Sequence, residues 1–290
     1  MKRLYGIIGF PVAHSLSPVF QQTAFDLSGL DAAYVPFAIP PESLQEGLKA
    51  LDLLGVSGFN VTLPHKEAVF SWVNDLDPIA RKVGSVNTVV RRTEGWFGAN
   101  TDVPGFCSAL KCFLERSVGS EIKYPLVLGA GGSARSVVTG LCEMGFSSFT
   151  IVNRSRGRAE SLVECFRRNG MIHAVEVLDF EEFSRWDPNG IDLVINTLSR
   201  DAFRERFSLL DRTDLVGVKG FYDLSYELDG SLTPFLKKGE KDGIPVEDGI
   251  GMLLEQGALS FEWWTGLQAP RREMADSLYR RTVKKVTPLQ

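Results

Sequence analysis

Short apolar runs alternate with amphipathic stretches through the first hundred residues. The runs Leu4 to Gly9, Ala33 to Ile39 and Gly58 to Thr62 have the length and composition of buried strands. Between them, the segments that begin at Ser17-Pro18 and at Pro41 carry apolar residues at helical spacing. This repetition of strand and helix predicts a parallel sheet.

The same alternation begins again at Tyr124. A buried strand, Leu126 to Leu128, runs into a glycine-rich segment, and the amphipathic helix that follows ends at Gly145. Phe149 to Val152 and Ile191 to Ile195 predict further strands. The chain has 290 residues, which corresponds to about two domains at roughly 100–200 residues each. We therefore predict the α/β class, with two α/β domains.

Composition narrows the class of protein. Hydrophobic residues make up 44% and charged residues 23%, as in globular proteins, and no apolar run of about 18 residues predicts a membrane span. A net charge of −4 weighs against nucleic acid as the main partner. The four cysteines form no CxxC pair and accompany no histidine cluster, which predicts no metal site and favours reduced thiols in a cytoplasmic protein.

A glycine pattern directly follows the strand at 126–128. Gly129, Gly131 and Ala134 fit G-x-G-x-x-[G/A]. Such glycines permit a tight turn and the close approach of a pyrophosphate, which the free N–H groups of the next helix then bind. Glycine patterns alone are weak signals, but the strand before and the helix after this one favour a dinucleotide site.

The strand at 149–152 ends in a basic turn. An NAD site usually places Asp or Glu at this point for the ribose 2′-hydroxyl, whereas this chain has Asn153-Arg154-Ser155-Arg156-Gly157-Arg158. Guanidinium groups bind phosphate in bidentate fashion, so the turn favours the 2′-phosphate of NADP. The alternative is a solvated basic turn without a ligand.

Four polar clusters stand out in the first domain. His14 to Pro18 follows the first strand and Asn60 to Lys66 follows the third, while Ser85 to Thr88 and Asn100 to Asp102 come later. Ligands of parallel sheets bind beyond the carboxyl ends of strands, which places the first two clusters on one rim. Taken singly, the serines of the first cluster are explained as helix caps and the lysine of the second as an exposed helix residue.

Taken together, the clusters resemble the shikimate dehydrogenase family over nearly the whole chain. The motifs occur in the order of that family: Ser-Leu-Ser-Pro from Ser15, Asn-Val-Thr-x-Pro-x-Lys from Asn60, Val-Asn-Thr from Val86, Asn-Thr-Asp-x-x-Gly from Asn100, the glycine-rich loop, the Asn-Arg-Ser turn, Asp-Leu-Ser-Tyr from Asp223, and Asp248-Gly249 through Gln256.

The resemblance implies reversible, NADPH-dependent reduction of 3-dehydroshikimate to shikimate, on the route to chorismate and the aromatic amino acids. It implies Lys66 as the catalytic acid/base and Asp102 as its catalytic partner. The implied ligands of shikimate are Ser15, Ser17, Thr62, Lys66, Asn87, Asp102, Tyr226 and Gln256. The implied NADP contacts are Gly129, Ala130, Gly131, Gly132, Ser133, Asn153, Arg154, Ser155, Arg156, Arg158, Leu224 and Gly249.

The resemblance also implies a domain organisation. A substrate-binding domain at residues 1–106, completed by a C-terminal helical segment at 246–290, would accompany a Rossmann-like NADP-binding domain at 107–245. The active site would lie in the interdomain cleft. We expect a monomer or homodimer.

The chain departs from the family pattern at two places near the expected nicotinamide. Leu198-Ser199 follows Thr197 where the family often has Thr-Pro, and Leu228 stands where it often has Pro. Two alternatives therefore remain open: a quinate/shikimate dehydrogenase with broader substrate or NAD use, and a non-catalytic NADP-binding regulator. The two serines and the Asn-Arg-Ser turn weigh against the first alternative, and the presence of both Lys66 and Asp102 weighs against the second.

Overall fold

In the computed structural model the chain divides into two compact units, each built around a six-stranded sheet. The first unit holds residues 1–105 and 253–290, and the second holds residues 106–252. The structure describes residues 2–119, 121–168, 170–172, 174–199, 203 and 217–282.

The first unit alternates strands and helices along the chain. In order these are β1 (Arg3–Gly9), α1 (Ser17–Leu27), β2 (Ala32–Ala38), a 3-10 turn (Pro41–Ser43), α2 (Leu44–Leu53), β3 (Gly58–Val61), α3 (Lys66–Phe70), β4 (Asp75–Leu76), α4 (Pro78–Val83), β5 (Thr88–Arg92) and β6 (Gly95–Ala99). Helix α5 (Asp102–Phe113) begins in this unit and ends in the second.

The first sheet is only partly parallel. Its strand order is β2-β1-β3-β5-β6-β4, and β1 pairs in parallel with both β2 and β3, as the sequence predicts. Strand β5 is antiparallel to β3 and to β6. The reason is local: β5 and β6 are joined by a tight turn at Thr93-Glu94, and so short a connection joins only antiparallel strands.

In the second unit, α5 is followed by a π-helical turn (Leu114–Val118). The later elements are β7 (Pro125–Leu128), α6 (Gly132–Glu143), β8 (Ser148–Val152), α7 (Arg156–Arg168), β9 (Ala174–Leu178), α8 (Phe180–Phe183), β10 (Leu193–Asn196), β11 (Gly220–Asp223), α9 (Pro234–Lys241) and β12 (Val246–Glu247). Helices α10 (Ile250–Thr265) and α11 (Arg271–Thr282) complete the described chain, and α10 crosses back into the first unit.

The second sheet is parallel throughout, with the order β12-β11-β10-β7-β8-β9. Apolar side chains cover both faces: Val127 and Ile195 belong to one core cluster, and Leu128 and Val194 to the other. From β7 the chain adds β8 and β9 on one side, and it then returns to add β10, β11 and β12 on the other side of β7. The strand order therefore reverses between β7 and β10. In sheets of this kind ligands bind beyond the carboxyl ends of the strands at that switch point.

Candidate active site

Lys66 and Asp102 form the central ion pair of the first unit. Lys66 is the first residue of α3 and Asp102 the first of α5. The Lys66 Nζ lies 2.6 Å from Asp102 Oδ2, and the two side chains are 21% and 11% exposed. A carboxylate in the first helical turn is also favoured by the helix dipole. The pair is therefore largely withdrawn from water, yet one side of it remains accessible.

Asn87 fixes the other carboxylate oxygen of Asp102. Its Nδ2 donates to Asp102 Oδ1 at 2.9 Å, while its Oδ1 accepts from the Thr101 backbone N–H at 2.7 Å. Because a backbone N–H only donates, this second bond determines which end of the amide faces Asp102. Asp102 is thus held by a cation at one oxygen and by an oriented amide at the other.

Gln256 reaches the same cluster from helix α10. Its Oε1 accepts from Asn87 Nδ2 at 3.3 Å, and its Nε2 donates to the Leu253 carbonyl at 2.8 Å. Four residues that the sequence places far apart are brought together here: Lys66, Asn87, Asp102 and Gln256.

The two loop serines lie at the start of α1. Ser17 is the first helical residue and is 3% exposed, and its backbone N–H donates to Ser15 Oγ at 3.2 Å. Leu16, not Ser17, occupies the N-cap position of α1. The interpretation of Ser17 as a helix cap is therefore wrong.

Thr62 follows β3 and packs against β1. A Cβ added at Gly9 would lie 2.3 Å from the Thr62 methyl carbon, so only glycine leaves room for this threonine. Within the described ranges, no hydrogen bond directly joins Ser15, Ser17 or Thr62 to the Lys66–Asp102 pair.

A buried hydrogen-bond network contacts Asn87, and the sequence analysis did not predict it. Tyr34 donates its hydroxyl proton to Asn60 Oδ1 at 2.7 Å, and Asn60 Nδ2 donates to the Asn87 carbonyl at 3.1 Å and to Ser260 Oγ at 2.9 Å. Ser260 in turn contacts Thr88 Oγ1 at 2.7 Å. Burial raises the pKa of Tyr34 well above its usual value, while hydrogen bonding with Ser17 opposes the rise. The one signal in the sequence is that Ser260 follows Gln256 by a single helical turn.

The glycine-rich loop of the second unit forms an open cradle. Gly131 is the N-cap of α6, and a Cβ added at Gly131 or Gly132 would meet no atom within 4 Å. Gly129 has φ +109°, and its Cβ would lie 2.4 Å from Thr197 Oγ1, so both conformation and space require glycine there. Ala134 is fully buried where helix α6 packs. Ala130 and Ser133 complete the loop, whose free helix N–H groups fit a pyrophosphate.

The arginines of the basic turn differ in their partners. Arg156 is paired with Glu160 at 2.9 Å and with Glu182. Arg154 and Arg158 are exposed, and neither side chain has an ion-pair partner in the part of the chain that the structure describes. The turn itself is held by Asn153 Nδ2, which donates to the Ser155 carbonyl at 2.9 Å. Two of the three arginines therefore remain available for a phosphate.

Leu224 and Gly249 approach each other beyond the ends of β11 and β12. A Cβ added at Gly249 would lie 2.0 Å from the Leu224 carbonyl oxygen. Tyr226 follows in the same unit and is half-buried. At the positions that depart from the family, Leu198 packs against an apolar cluster, whereas Leu228 is 46% exposed.

Asp223, at the end of β11, supports this segment. Its carboxylate is 1% exposed and accepts hydrogen bonds from Asn196, from the Ser225 backbone N–H and from Thr233, at 2.6–2.9 Å. Burial raises the pKa of Asp223 to about 6, against the lowering effect of these bonds.

The described residues contain no group of three or more His, Cys, Asp or Glu side chains arranged to hold a metal ion. Among the helices of the same ranges, none combines the length and hydropathy needed to cross a membrane.

Three family models match the chain. Residues 7–89 match the substrate binding domain of shikimate dehydrogenase, residues 115–196 match the model described as shikimate / quinate 5-dehydrogenase, and residues 249–279 match the shikimate 5'-dehydrogenase C-terminal domain.

Curated and solved relatives agree with these matches. The chain is 41% identical to the shikimate dehydrogenase (NADP(+)) of Geobacter sulfurreducens, over 92% of this chain and 93% of that protein. It superposes on the shikimate dehydrogenase of Aquifex aeolicus with a TM-score of 0.81 and 33% identity, covering 96% and 97% of the two chains. It also superposes on the Thermus thermophilus enzyme, solved in complex with NADP(H) and shikimate, with a TM-score of 0.75 and 32% identity over 96% and 99%.

Proposed function

The chain belongs to the shikimate dehydrogenase family, and from that premise we propose how its residues perform the reversible NADPH-dependent reduction of 3-dehydroshikimate to shikimate. The observation that carries the proposal is the Lys66–Asp102 pair at 2.6 Å, whose carboxylate is oriented by Asn87. It provides a fixed proton donor beside groups that bind hydroxyls.

We assign substrate binding mainly to the first unit and NADP binding to the second, in keeping with the predicted domains at 1–106 with 246–290 and at 107–245. NADPH, when bound, supplies the hydride that reduces the C3 carbonyl carbon. The cradle at Gly129 to Ser133 fits its pyrophosphate, and Arg154 and Arg158 fit the 2′-phosphate. Asn153 and Ser155 hold the turn, and Leu224 and Gly249 would contact the cofactor. Arg156 contributes positive charge while it remains paired with its carboxylates.

Seven side chains besides Lys66 provide the substrate site. A ring carboxylate and three hydroxyls need donors and acceptors of matching kinds, which hydroxyl, amide and carboxylate groups supply. Ser15 and Ser17 bind the carboxylate. The ring hydroxyls are bound by Thr62, Asn87, Asp102, Tyr226 and Gln256.

Lys66 donates the proton of the reaction. As negative charge develops on the C3 oxygen, the ammonium stabilises it and then transfers a proton to that oxygen. Asp102 holds the ammonium in place through Oδ2 and is itself oriented by Asn87 through Oδ1. In the reverse direction, neutral Lys66 accepts the proton of the shikimate hydroxyl.

A steady-state assay tests the function directly. Shikimate or quinate is offered with NADP or NAD, and the four values of kcat/KM are compared. We expect shikimate with NADP to give the highest value. Comparable values for quinate or for NAD would favour the broader dehydrogenase, and absence of turnover with every pair would favour the non-catalytic regulator.

We further propose that the enzyme works in the cytoplasm as a monomer or homodimer. All four cysteines are free thiols, which suits a reducing compartment. Cell fractionation and sedimentation velocity test the two parts of this proposal separately, and a larger assembly would contradict the second part.

A further inference from the structure

Gly105 and Gln256 touch where helices α5 and α10 pass each other in the first unit. A Cβ added at Gly105 would lie 2.8 Å from the Gln256 backbone nitrogen, 2.9 Å from its Cβ and 3.0 Å from its Cα. These are backbone and near-backbone atoms, which move only if the helix moves. Gly105 does not have a positive φ, so the glycine is needed for space and not for conformation.

Gly105 is an unfavourable residue for a helix interior, since glycine lowers helix stability relative to alanine. It is also the last residue of the Asn-Thr-Asp-x-x-Gly motif, in which only Asp102 has a chemical role so far. Asp102 lies one helical turn before Gly105 on α5. The close contact therefore sets the distance between the helix that carries Asp102 and the helix that carries Gln256.

Hydrogen bonds of Ser260 also hold Gln256 in place. Ser260 Oγ donates to the Gln256 carbonyl at 2.9 Å and accepts from Asn60 Nδ2 at 2.9 Å. Ser260 Oγ also lies 2.7 Å from Thr88 Oγ1. These hydrogen bonds tie α10 to β3 and β5.

We propose that Gly105 is a positioning residue for the substrate: its contact with the Gln256 backbone holds the Gln256 amide against Asn87 and Asp102. The proposal rests on the function proposed above, in which these three side chains bind shikimate. A methyl group at position 105 would displace α10 and lengthen the Asn87–Gln256 hydrogen bond, which is already 3.3 Å.

The test compares Gly105→Ala with Gly251→Ala. Gly251 lies on the same helix α10, and its added Cβ would lie 3.7 Å from the Ala109 Cβ on α5, which is an ordinary contact. Shikimate binding is measured by titration calorimetry, and NADPH binding by fluorescence. We expect Gly105→Ala to raise the shikimate Kd about tenfold or more, since a misplacement of about 1 Å can cost about 100-fold in function. Gly251→Ala should leave it unchanged, and NADPH binding should be unchanged in both.

A second variant covers the case in which Gly105→Ala does not fold. Ser260→Ala removes the hydrogen bond to the Gln256 carbonyl without adding volume, and we expect a several-fold rise in the shikimate Kd with NADPH binding unchanged.

In a Gln256→Ala background, Gly105→Ala should raise the shikimate Kd by a smaller factor than in the wild-type background, because the displaced group is already absent.

The outcomes separate the two proposals. If the wild type binds shikimate and both Gly105→Ala and Ser260→Ala bind it equally well, the positioning role is wrong and the proposed function stands. A Gly105→Ala effect that is equal for shikimate and NADPH, or undiminished in the Gln256→Ala background, also overturns the positioning role. A wild type that binds no shikimate overturns the proposed function, and the positioning role with it.

Discussion

The polar groups of the first unit and those of the second are organised in opposite ways. Around Lys66 and Asp102, the buried side chains are hydrogen-bonded to one another, and the network continues to Ser260. Around the glycine-rich loop, the N-terminus of α6 is open and Arg154 has no ion-pair partner among the described residues. The polar side chains of the first site bond to one another, whereas the second site has hydrogen-bond donors that remain free for a ligand.

The difference fits the ligands that we propose for the two sites. Proton transfer requires a donor fixed within a fraction of an ångström, and a buried network provides that rigidity because every member is satisfied. A dinucleotide phosphate is bound by charge and by backbone N–H groups, which need only remain free until the ligand arrives. Changes in the first site should therefore appear mainly in turnover, and changes in the second mainly in affinity.

The largest effect is expected at Lys66. Lys66→Ala should lower kcat by about 10²–10⁴-fold, the usual contribution of a general acid–base group, with little change in the shikimate KM. Steady-state kinetics with shikimate and NADP measure both quantities. Lys49→Ala, which removes an exposed lysine of α2, is the control. A folded Lys66→Ala protein with nearly wild-type kcat would remove Lys66 from the mechanism.

The next effect concerns the basic turn of the second unit. Arg154→Ala should raise the NADP KM by about 10- to 150-fold, since a charged hydrogen bond contributes about 1.5–3 kcal/mol, and should leave the NAD KM and kcat nearly unchanged. Arg156→Ala serves as the matched control, because Arg156 is already paired with Glu160 and Glu182. Equal losses in the two variants would show that general positive charge, not a specific contact, selects the cofactor.

Local sequence patterns predicted many of the elements that carry the two sites. The strand–loop–helix at Gly129 and the first three parallel strands depend on neighbouring residues, so periodicity and turn chemistry were enough to predict them. The pairing of Arg156 with Glu182, 26 residues away, was not predictable in that way. Nor was the bond between Asn60 and Ser260, 200 residues apart. Such contacts depend on how elements pack, which a single sequence does not encode in any local signal.

The third prediction concerns the pH dependence of stability, and it depends on how the surroundings of two buried aspartates differ. Asp102 has an ammonium beside it, whereas Asp223 has only neutral donors and its pKa is raised by burial to about 6, from a usual 3.8. The folded protein therefore binds the Asp223 proton more tightly than the unfolded chain does. The resulting stabilisation is complete below the usual pKa and is lost as the pH rises through about 6.

Asp223→Asn should remove this pH dependence. Between acidic and neutral pH, the wild type should lose up to about 3 kcal/mol of unfolding free energy relative to Asp223→Asn, since one pKa unit corresponds to about 1.4 kcal/mol. Urea unfolding at a series of pH values measures the difference, and carbon NMR of labelled aspartate follows the carboxyl directly. If the unfolding free energies of the two proteins vary with pH in the same way, and no carboxyl titrates near pH 6, then Asp223 does not have a raised pKa.

The smallest effect is expected at the loop serines, and it tests whether the first site also determines substrate choice. Shikimate and quinate share a ring carboxylate and three hydroxyls, but quinate has a further hydroxyl on the carbon that bears the carboxylate. That carbon is planar in shikimate and tetrahedral in quinate, so the carboxylate leaves the ring at a different angle.

Ser17 is 3% exposed, and its backbone N–H is bonded to Ser15 Oγ, which leaves little room for an added substituent. A tight pocket of this kind discriminates by roughly 10–200-fold, so the wild type should prefer shikimate.

Ser15→Ala and Ser17→Ala should each raise the shikimate KM by about tenfold, because a hydrogen bond to a charged carboxylate contributes at least about 1.5 kcal/mol. The ratio of kcat/KM for shikimate to that for quinate should fall at the same time, since the smaller side chain admits the extra hydroxyl. Ser17→Ala should lower the Tm slightly, because the buried Ser17 hydroxyl is hydrogen-bonded with Tyr34, although Leu16 and not Ser17 is the N-cap of α1. An unchanged shikimate KM with a lower Tm in Ser17→Ala would show that this serine supports the fold and not the substrate. Equal wild-type kcat/KM values for quinate and shikimate would show that the two serines do not select between the substrates.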